Sequence, residues 1–92
     1  NKCDLIICVS HLGHEYNSDK ISDSKIAQLT HDIDLIIGGH THTFLKEPFI
    51  TKNKNNDNVI INQVGSGGVY LGRIDFNFTK SSKNSTNSIL EV

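Results

Sequence analysis

The stretch Asp34–Thr43 reads DLIIGGHTHT, and its first four residues repeat the DLII that begins at Asp4. Each DLII opens a short, continuous apolar run, one over Asp4–Ser10 and the other over Asp34–Gly38, without an alternating pattern. Such runs are typical of strands that are covered on both faces in a parallel sheet. The sequence therefore predicts two parallel strands, and the repeat predicts that they lie in equivalent register.

The segment between these two runs is predicted to be a helix. Ser22 and Asp23 are good N-cap residues, and Ile26, Leu29 and Ile33 follow with the spacing i, i+3, i+7. Strand, helix and strand together form a βαβ unit, whose crossover is expected to be right-handed.

Farther along the chain the pattern becomes antiparallel. Pro48–Thr51 and Val59–Val64 flank a turn-forming run rich in asparagine, which predicts a hairpin. Gly65–Gly68 is predicted to be a tight turn, and Val69–Phe78 alternates with period two. We therefore expect Val69–Phe78 to pair antiparallel with Val59–Val64. A phosphate-binding loop at the glycines would instead require a helix that starts near Val69.

Composition excludes several classes of protein. With nine basic and ten acidic residues the chain is nearly neutral, and no basic stripe interleaved with aromatic residues supports nucleic-acid binding. No apolar stretch reaches the roughly 18 residues of a membrane span, and Asn1 leads into a strand without signal-peptide features.

Cys3 and Cys8 are expected on opposite faces of one strand, roughly 16 Å apart. They are predicted to be small buried side chains that cannot form a disulfide with each other.

A domain boundary is predicted near Phe78. Residues 79–88 read TKSSKNSTNS and hold no apolar side chain, so residues 79–92 are interpreted as a linker or tail. Strands that are apolar on both faces need packing layers on both sides, yet residues 1–78 supply one clear helix and no strand before Asp4. An additional N-terminal part of the same domain is therefore expected.

Three of the five histidines follow the two predicted parallel strands, His11 after the first and His40 and His42 after the second. The carboxyl ends of parallel strands meet at one sheet edge, where ligand sites gather. Neutral imidazole suits zinc, manganese and iron, and in an extended segment His40 and His42 would point to the same side. Gly38 and Gly39 permit a tight turn just before them. The alternative is that these are ordinary surface or core histidines.

The remaining histidines receive structural interpretations. His14 and the neighbouring Glu15 are predicted to be exposed loop residues. His31 lies near the expected C-terminus of the helix, where a histidine favours the helix dipole.

Two motifs, SHLG at Ser10–Gly13 and GGHTHT at Gly38–Thr43, closely resemble motifs of calcineurin-like metallophosphoesterases. The sequence NQVGSGGVYLGRIDF at Asn62–Phe76 is also similar to the strand, glycine-rich turn and strand that follow G-H-x-H in 5′-nucleotidases. The resemblance implies that residues 1–78 are the C-terminal portion of a metallophosphoesterase catalytic domain. It implies an α/β fold with a partial β-sandwich flanked by helices, a parallel βαβ unit followed by antiparallel strands, and hydrolysis of a phosphoester, most directly a nucleotide.

The resemblance also implies metal ligands. His11 and His40 match ligands of the second metal, and His42 matches a ligand of the first, in an enzyme that holds two divalent ions of zinc, manganese or iron. Many 5′-nucleotidases carry Gln or Asn at the position of His42, so this residue follows the broader phosphoesterase pattern. No residue of the chain matches a catalytic residue.

Family members also carry D-x-H, G-D-x-x-D and G-N-H-E elements, and none of them occurs in this sequence. The resemblance therefore implies partner regions, namely an N-terminal half of the catalytic domain and a C-terminal substrate-binding domain. It further implies that the isolated chain is inactive and that the location is periplasmic or extracellular. The alternative is a non-catalytic α/β fragment with at most one structural or adventitious zinc.

Overall fold

The computed structural model describes residues 3–78 and the backbone of residues 83–91. It contains one helix and six strands in these residues, in the order β1 (Ile7–Val9), α1 (Asp23–Leu29), β2 (Leu35–Ile37), β3 (Phe49–Lys52), β4 (Asn58–Asn62), β5 (Tyr70–Phe78) and β6 (Lys83–Glu91).

The first four strands form one mixed sheet, in the spatial order β1-β2-β4-β3. The strands β1, β2 and β4 are parallel, and β3 runs antiparallel to β4. The helix α1 connects β1 to β2. The predicted parallel βαβ unit and the hairpin that follows it are both confirmed.

The register of β1 and β2 differs from the one that the DLII repeat predicts. Ile7 pairs with Leu35, so the fourth residue of one DLII lies beside the second residue of the other. The carboxylate of Asp34 accepts a hydrogen bond from the backbone N–H of Ile6 at 2.9 Å, which aligns these two residues. The shift keeps the same side chains on the same face because it spans an even number of residues.

One face of the sheet packs on α1 and carries the hydrophobic core. Ser22 is the N-cap, and its Oγ accepts a hydrogen bond from the N–H of Lys25 at 3.2 Å. The helix ends at Leu29, and that residue is 57% exposed. The fully buried apolar side chains are Ala27, Ile36, Val59 and Ile61, with Cys8, Ile26, Ile33 and Phe49 packed around them.

The opposite face of the sheet is only partly covered. The strand β5 crosses it at Gly72, where an added Cβ would stand 2.6 Å from Nδ2 of Asn62. Beside this contact lies an apolar cavity of about 460 Å³, lined by residues of β1, β2, β4 and β5. Val9 is 80% exposed and Ile37 is 45% exposed. The apolar sequences of β1 and β2 thus leave apolar side chains exposed on this face of the sheet in the described part of the chain.

The predicted pairing of Val59–Val64 with Val69–Phe78 is wrong. Both edges of β4 are already hydrogen-bonded, one to β2 and the other to β3, so β4 has no free edge for β5. Instead, β5 pairs antiparallel with β6 along its whole length, from Tyr70↔Glu91 to Phe78↔Lys83. The glycine-rich segment is a turn, with positive φ at Gly65, Gly67 and Gly68, and a strand follows it.

Residues 83–91 correct the interpretation of the polar C-terminal segment as a linker or tail. They form β6 because the long strand β5 presents an open edge, and backbone pairing does not require apolar side chains. Residues 79–82 and 92 lie outside the described residues, and there the interpretation stays a prediction.

The two cysteines are free, and they differ in burial. Cys8 is half-buried on the core face, whereas Cys3 lies outside β1 and is exposed, so the prediction that Cys3 is buried is wrong. Across the described residues, no helix has the length and apolar character needed to cross a membrane.

Candidate metal centre

Two of the three candidate ligands meet at the carboxyl ends of β1 and β2. His11 and His40 lie with Nε2 and Nδ1, respectively, 3.3 Å apart, and their rings are edge-to-face with centroids 5.0 Å apart. Both side chains are exposed to solvent. Two nitrogens that bind one tetrahedral zinc at about 2.0–2.1 Å are themselves about 3.3–3.4 Å apart. The spacing of this pair therefore fits two ligands of a single metal ion.

A strained turn presents the second histidine. His40 has φ of 76°, and the N–H of Thr41 donates to the carbonyl of Gly39 at 3.0 Å, so His40 is the central residue of a three-residue turn. His42 also has positive φ, 54°. The predicted extended segment from His40 to His42 is therefore wrong. Non-glycine residues held in this region cost about 1–3 kcal/mol and cluster at functional sites.

The structure does not gather all three histidines into one cluster. His42 is exposed in the same loop as His40. Among the described residues, no three histidine, cysteine, aspartate or glutamate side chains form a group that could hold a metal ion. The expected common space is thus formed by His11 and His40, and the assignment of all three as ligands stays a prediction.

Gln63 holds the loop that carries His40 and His42. Its Oε1 accepts a hydrogen bond from the N–H of Thr43 at 2.6 Å and a longer one from Oγ1 of Thr41 at 3.5 Å. The two threonine hydroxyls are themselves 2.8 Å apart. Gln63 follows β4 and is only 3% exposed, so the interior of the sheet anchors this loop.

Asp23 holds the loop around His11. Oγ of Ser10 donates to Oδ1 of Asp23 at 2.5 Å and accepts from the N–H of Leu12 at 3.2 Å. The backbone N–H of Asp23 donates to the carbonyl of Gly13 at 2.8 Å. The first residue of α1 therefore contacts the loop on both sides of His11.

Sequence reasoning missed Asp23 and Gln63 as residues that shape this site. The sequence suggested Asp23 only as a helix cap and Gln63 only as a strand residue. A usable signal is the polar side chain of Gln63 at the end of the apolar run VIINQV. No such signal marks Asp23, because acidic residues are common in the first turn of any helix.

The prediction that His14 is exposed is wrong, whereas Glu15 is exposed as predicted. His14 is 9% exposed, and its ring packs edge-on against Phe49 with centroids 5.2 Å apart. The backbone N–H of His14 donates to Oγ1 of Thr41 at 3.2 Å, so His14 adjoins the loop that carries His40. His31 lies two residues beyond the end of α1 and is exposed, with its Nδ1 at 3.1 Å from Oδ2 of Asp32.

Comparison with known proteins supports a relationship to nucleotide-hydrolysing enzymes. No family model matches the chain. It is 36% identical over 77 residues to the trifunctional nucleotide phosphoesterase protein YfkN of Bacillus subtilis (strain 168), covering 84% of this chain and 5% of that protein. It is 33% identical over 86 residues to a 5′-nucleotidase of Rattus norvegicus, covering 79% of this chain and 14% of that protein.

The fold is also similar to a solved structure. The crystal structure of the 5′-nucleotidase precursor from Thermus thermophilus superposes with a TM-score of 0.68 and 24% identity, covering 75% of this chain and 16% of that chain. This likeness supports the mixed α/β fold. The chain thus spans between 5% and 16% of the length of these three proteins.

Proposed function

Since this chain belongs to the 5′-nucleotidase family of metallophosphoesterases and corresponds to one region of such proteins, we propose that it supplies metal ligands for phosphoester hydrolysis. The proposed substrates are nucleotides, and the proposed ligands are His11, His40 and His42. The observation that carries the proposal is the 3.3 Å separation between Nε2 of His11 and Nδ1 of His40 at the carboxyl end of the parallel strands.

The histidines would act as neutral nitrogen ligands. His11 and His40 would hold one ion together, and His42 would hold a second. The chemistry that such ions would supply is activation of a water nucleophile and stabilisation of charge on the phosphoryl oxygens. The turn at His40 restricts the backbone from which its side chain projects, which would lower the entropy lost on binding.

The proposal also requires residues from outside this region. Zinc, manganese and iron ions that lie close together need negatively charged ligands, and no carboxylate joins the histidine pair among the described residues. An N-terminal half of the catalytic domain would supply these ligands, and a C-terminal domain would bind the nucleotide. The isolated chain should therefore be inactive. A periplasmic or extracellular location is part of the same proposal.

A second candidate function is a non-catalytic fragment that holds a single zinc or none. It is favoured by one observation, the lack of a third ligand beside the His11 and His40 pair in the described residues. The two candidates differ in the metal stoichiometry and activity of the complete protein. Two ions and turnover support the enzyme, and one ion without turnover supports the fragment.

Metal binding to the chain tests the ligand assignment. Calorimetric titration with zinc is carried out on the wild type, on His40→Ala and on His31→Ala, the matched control at an exposed histidine away from the pair. We expect one ion per wild-type chain, loss of binding in His40→Ala and unchanged binding in His31→Ala. Equal affinity in all three proteins would overturn the assignment.

Phosphate release from nucleotides tests the hydrolysis half of the proposal. The chain alone should release no phosphate above the background rate. The protein that also carries the D-x-H, G-D-x-x-D and G-N-H-E elements should turn over and should lose most of its activity with His40→Ala. Robust turnover by the chain alone would contradict the incomplete site.

A further inference from the structure

The two side chains that anchor the histidine loops meet at one point inside the protein. Asp23 anchors the His11 loop through Ser10, and Gln63 anchors the His40 loop through Thr43. Asp23 is fully buried, and Gln63 is 3% exposed. Oδ1 of Asp23 and Oε1 of Gln63 form the hydrogen bonds to the loops. Oδ2 of Asp23 and Nε2 of Gln63 take no part in these bonds.

The second ends of both groups lie beside Gly38. A Cβ built on Gly38 would overlap Oδ2 of Asp23 and stand 3.4 Å from Nε2 of Gln63, so both atoms border the same position in the backbone. Both are buried, and neither has a hydrogen-bond partner in the described residues. One is a carboxylate acceptor and the other an amide donor, so their hydrogen-bonding roles are complementary.

The orientation of the Gln63 amide is determined by its surroundings. Oε1 must accept the hydrogen bond from the backbone N–H of Thr43, because that donor requires an oxygen, and Nε2 therefore lies on the side of Gly38. Glycine at position 38 is required because any side chain there would displace the Asp23 carboxylate.

A carboxylate that is buried with one hydrogen bond is expensive. Removing a charged group from water is costly unless it is paired or hydrogen-bonded. An apolar residue at position 23 would not incur this cost. The presence of Asp23 beside the histidine loops therefore indicates a role in the geometry of the site.

We propose that Asp23 and Gln63 act as a positioning pair that couples the two histidine loops across Gly38 and sets the separation of His11 and His40. This inference rests on the proposed function, because it treats the two histidines as ligands of one ion. Neither residue touches the ion. Residues that orient ligands in this way typically contribute about 10–100-fold to metal affinity.

Exchanging the two polar groups tests the coupling. Gln63→Glu alone places two carboxylates side by side in the interior, where they repel each other. Asp23→Asn alone keeps an oxygen for Ser10 and has a smaller effect. Combining Asp23→Asn with Gln63→Glu restores one acceptor opposite one donor, because an amide then faces a carboxylate across Gly38.

We expect zinc affinity to fall about tenfold in Gln63→Glu and to recover in the double variant. Asn62→Asp is the matched control, since it alters an adjacent buried amide that faces Gly72. This control should lower the unfolding temperature and leave zinc affinity unchanged. Additive losses in the double variant, or an equal loss in Asn62→Asp, would overturn the proposal.

A metal-free measurement separates this inference from the proposed function. In the wild-type chain without metal, NMR should show nuclear Overhauser effects between the rings of His11 and His40, and these should weaken in Gln63→Glu and return in the double variant. If Gln63→Glu does not fold, Ser10→Ala serves instead, because it removes the hydrogen bond to Asp23 without adding charge. Ring contacts unchanged in the folded single variant would overturn the inference even if zinc binds. Wild-type chain that binds no zinc but shows the NMR pattern would contradict the proposed function alone.

Discussion

Nε2 of His11 lies 3.3 Å from Nδ1 of His40, although the two residues are 29 positions apart in the chain. The contact results from the parallel pairing of β1 and β2, which end at the same edge of the sheet. Gly39 allows the close approach, because a Cβ there would stand 3.3 Å from Nδ1 of His11.

The two histidines should act as a unit in metal binding. We expect His11→Ala and His40→Ala each to weaken zinc binding by at least about 100-fold, because a lone imidazole is a poor ligand set. The double variant should bind no more weakly than either single variant, since residues that hold one ion are not additive. His42→Ala should have a smaller effect in the isolated chain. Calorimetry measures all four, and additive losses would contradict a shared ion.

The strained turn predicts an unusual order of stability at position 40. A residue with φ of 76° is disfavoured unless it is glycine, so we expect His40→Gly to be about 1 kcal/mol more stable than His40→Ala. At His31, which has an ordinary negative φ, glycine should be less stable than alanine. Urea unfolding without metal measures both pairs. The same order at the two sites would show that the turn is not strained.

The stability of the fold should depend mainly on side chains from the face of the sheet that packs on α1. Ile36 is fully buried there, and Ile36→Ala should lower the free energy of unfolding by about 2–5 kcal/mol. Val9→Ala should change it by less than about 0.5 kcal/mol in the isolated chain, because Val9 is 80% exposed. Chemical denaturation of both variants measures the difference. Comparable losses would mean that the open face of the sheet is covered in solution.

The two adjacent glycines after β2 should respond differently to alanine. An added Cβ at Gly38 would overlap the buried Asp23 carboxylate, so Gly38→Ala should destabilise the fold by about 1–3 kcal/mol. At Gly39 the nearest atom is Nδ1 of the exposed His11 ring, which can move aside. Gly39→Ala should therefore have a larger effect on zinc affinity than on the free energy of unfolding. Thermal unfolding and zinc titration of both variants distinguish these effects, and identical profiles would contradict the contacts.

Local patterns in the sequence are sufficient for much of the fold. The apolar runs around Ile7 and Ile36, the cap at Ser22 and the turn before β4 are each evident from neighbouring residues, and the structure confirms the elements that they predict. The glycine-rich segment is likewise a turn, as predicted. These features depend on backbone preferences and side-chain periodicity, which act over a few residues.

Strand pairings between segments that are far apart in the chain are harder to predict from the sequence. The sequence predicts β4 as the partner of β5, but both edges of β4 are occupied, and β6 pairs with β5 instead. The first six residues of β6, KNSTNS, carry no apolar period, so they do not distinguish a strand from a linker. The pairing of β6 depends on the open edge that another strand offers.

The sequence by itself determined the relationship to metallophosphoesterases, because SHLG and GGHTHT put histidines directly after two parallel strands in the pattern of that family. Only the tertiary structure decided which histidines meet. A register shift of the parallel strands and a positive φ at His40 bring His11 and His40 together, and the His42 side chain joins no such group in the described residues. The buried pair Asp23 and Gln63 was equally inaccessible from sequence, since hydrogen bonds between residues far apart in the chain depend on packing and leave no local periodicity.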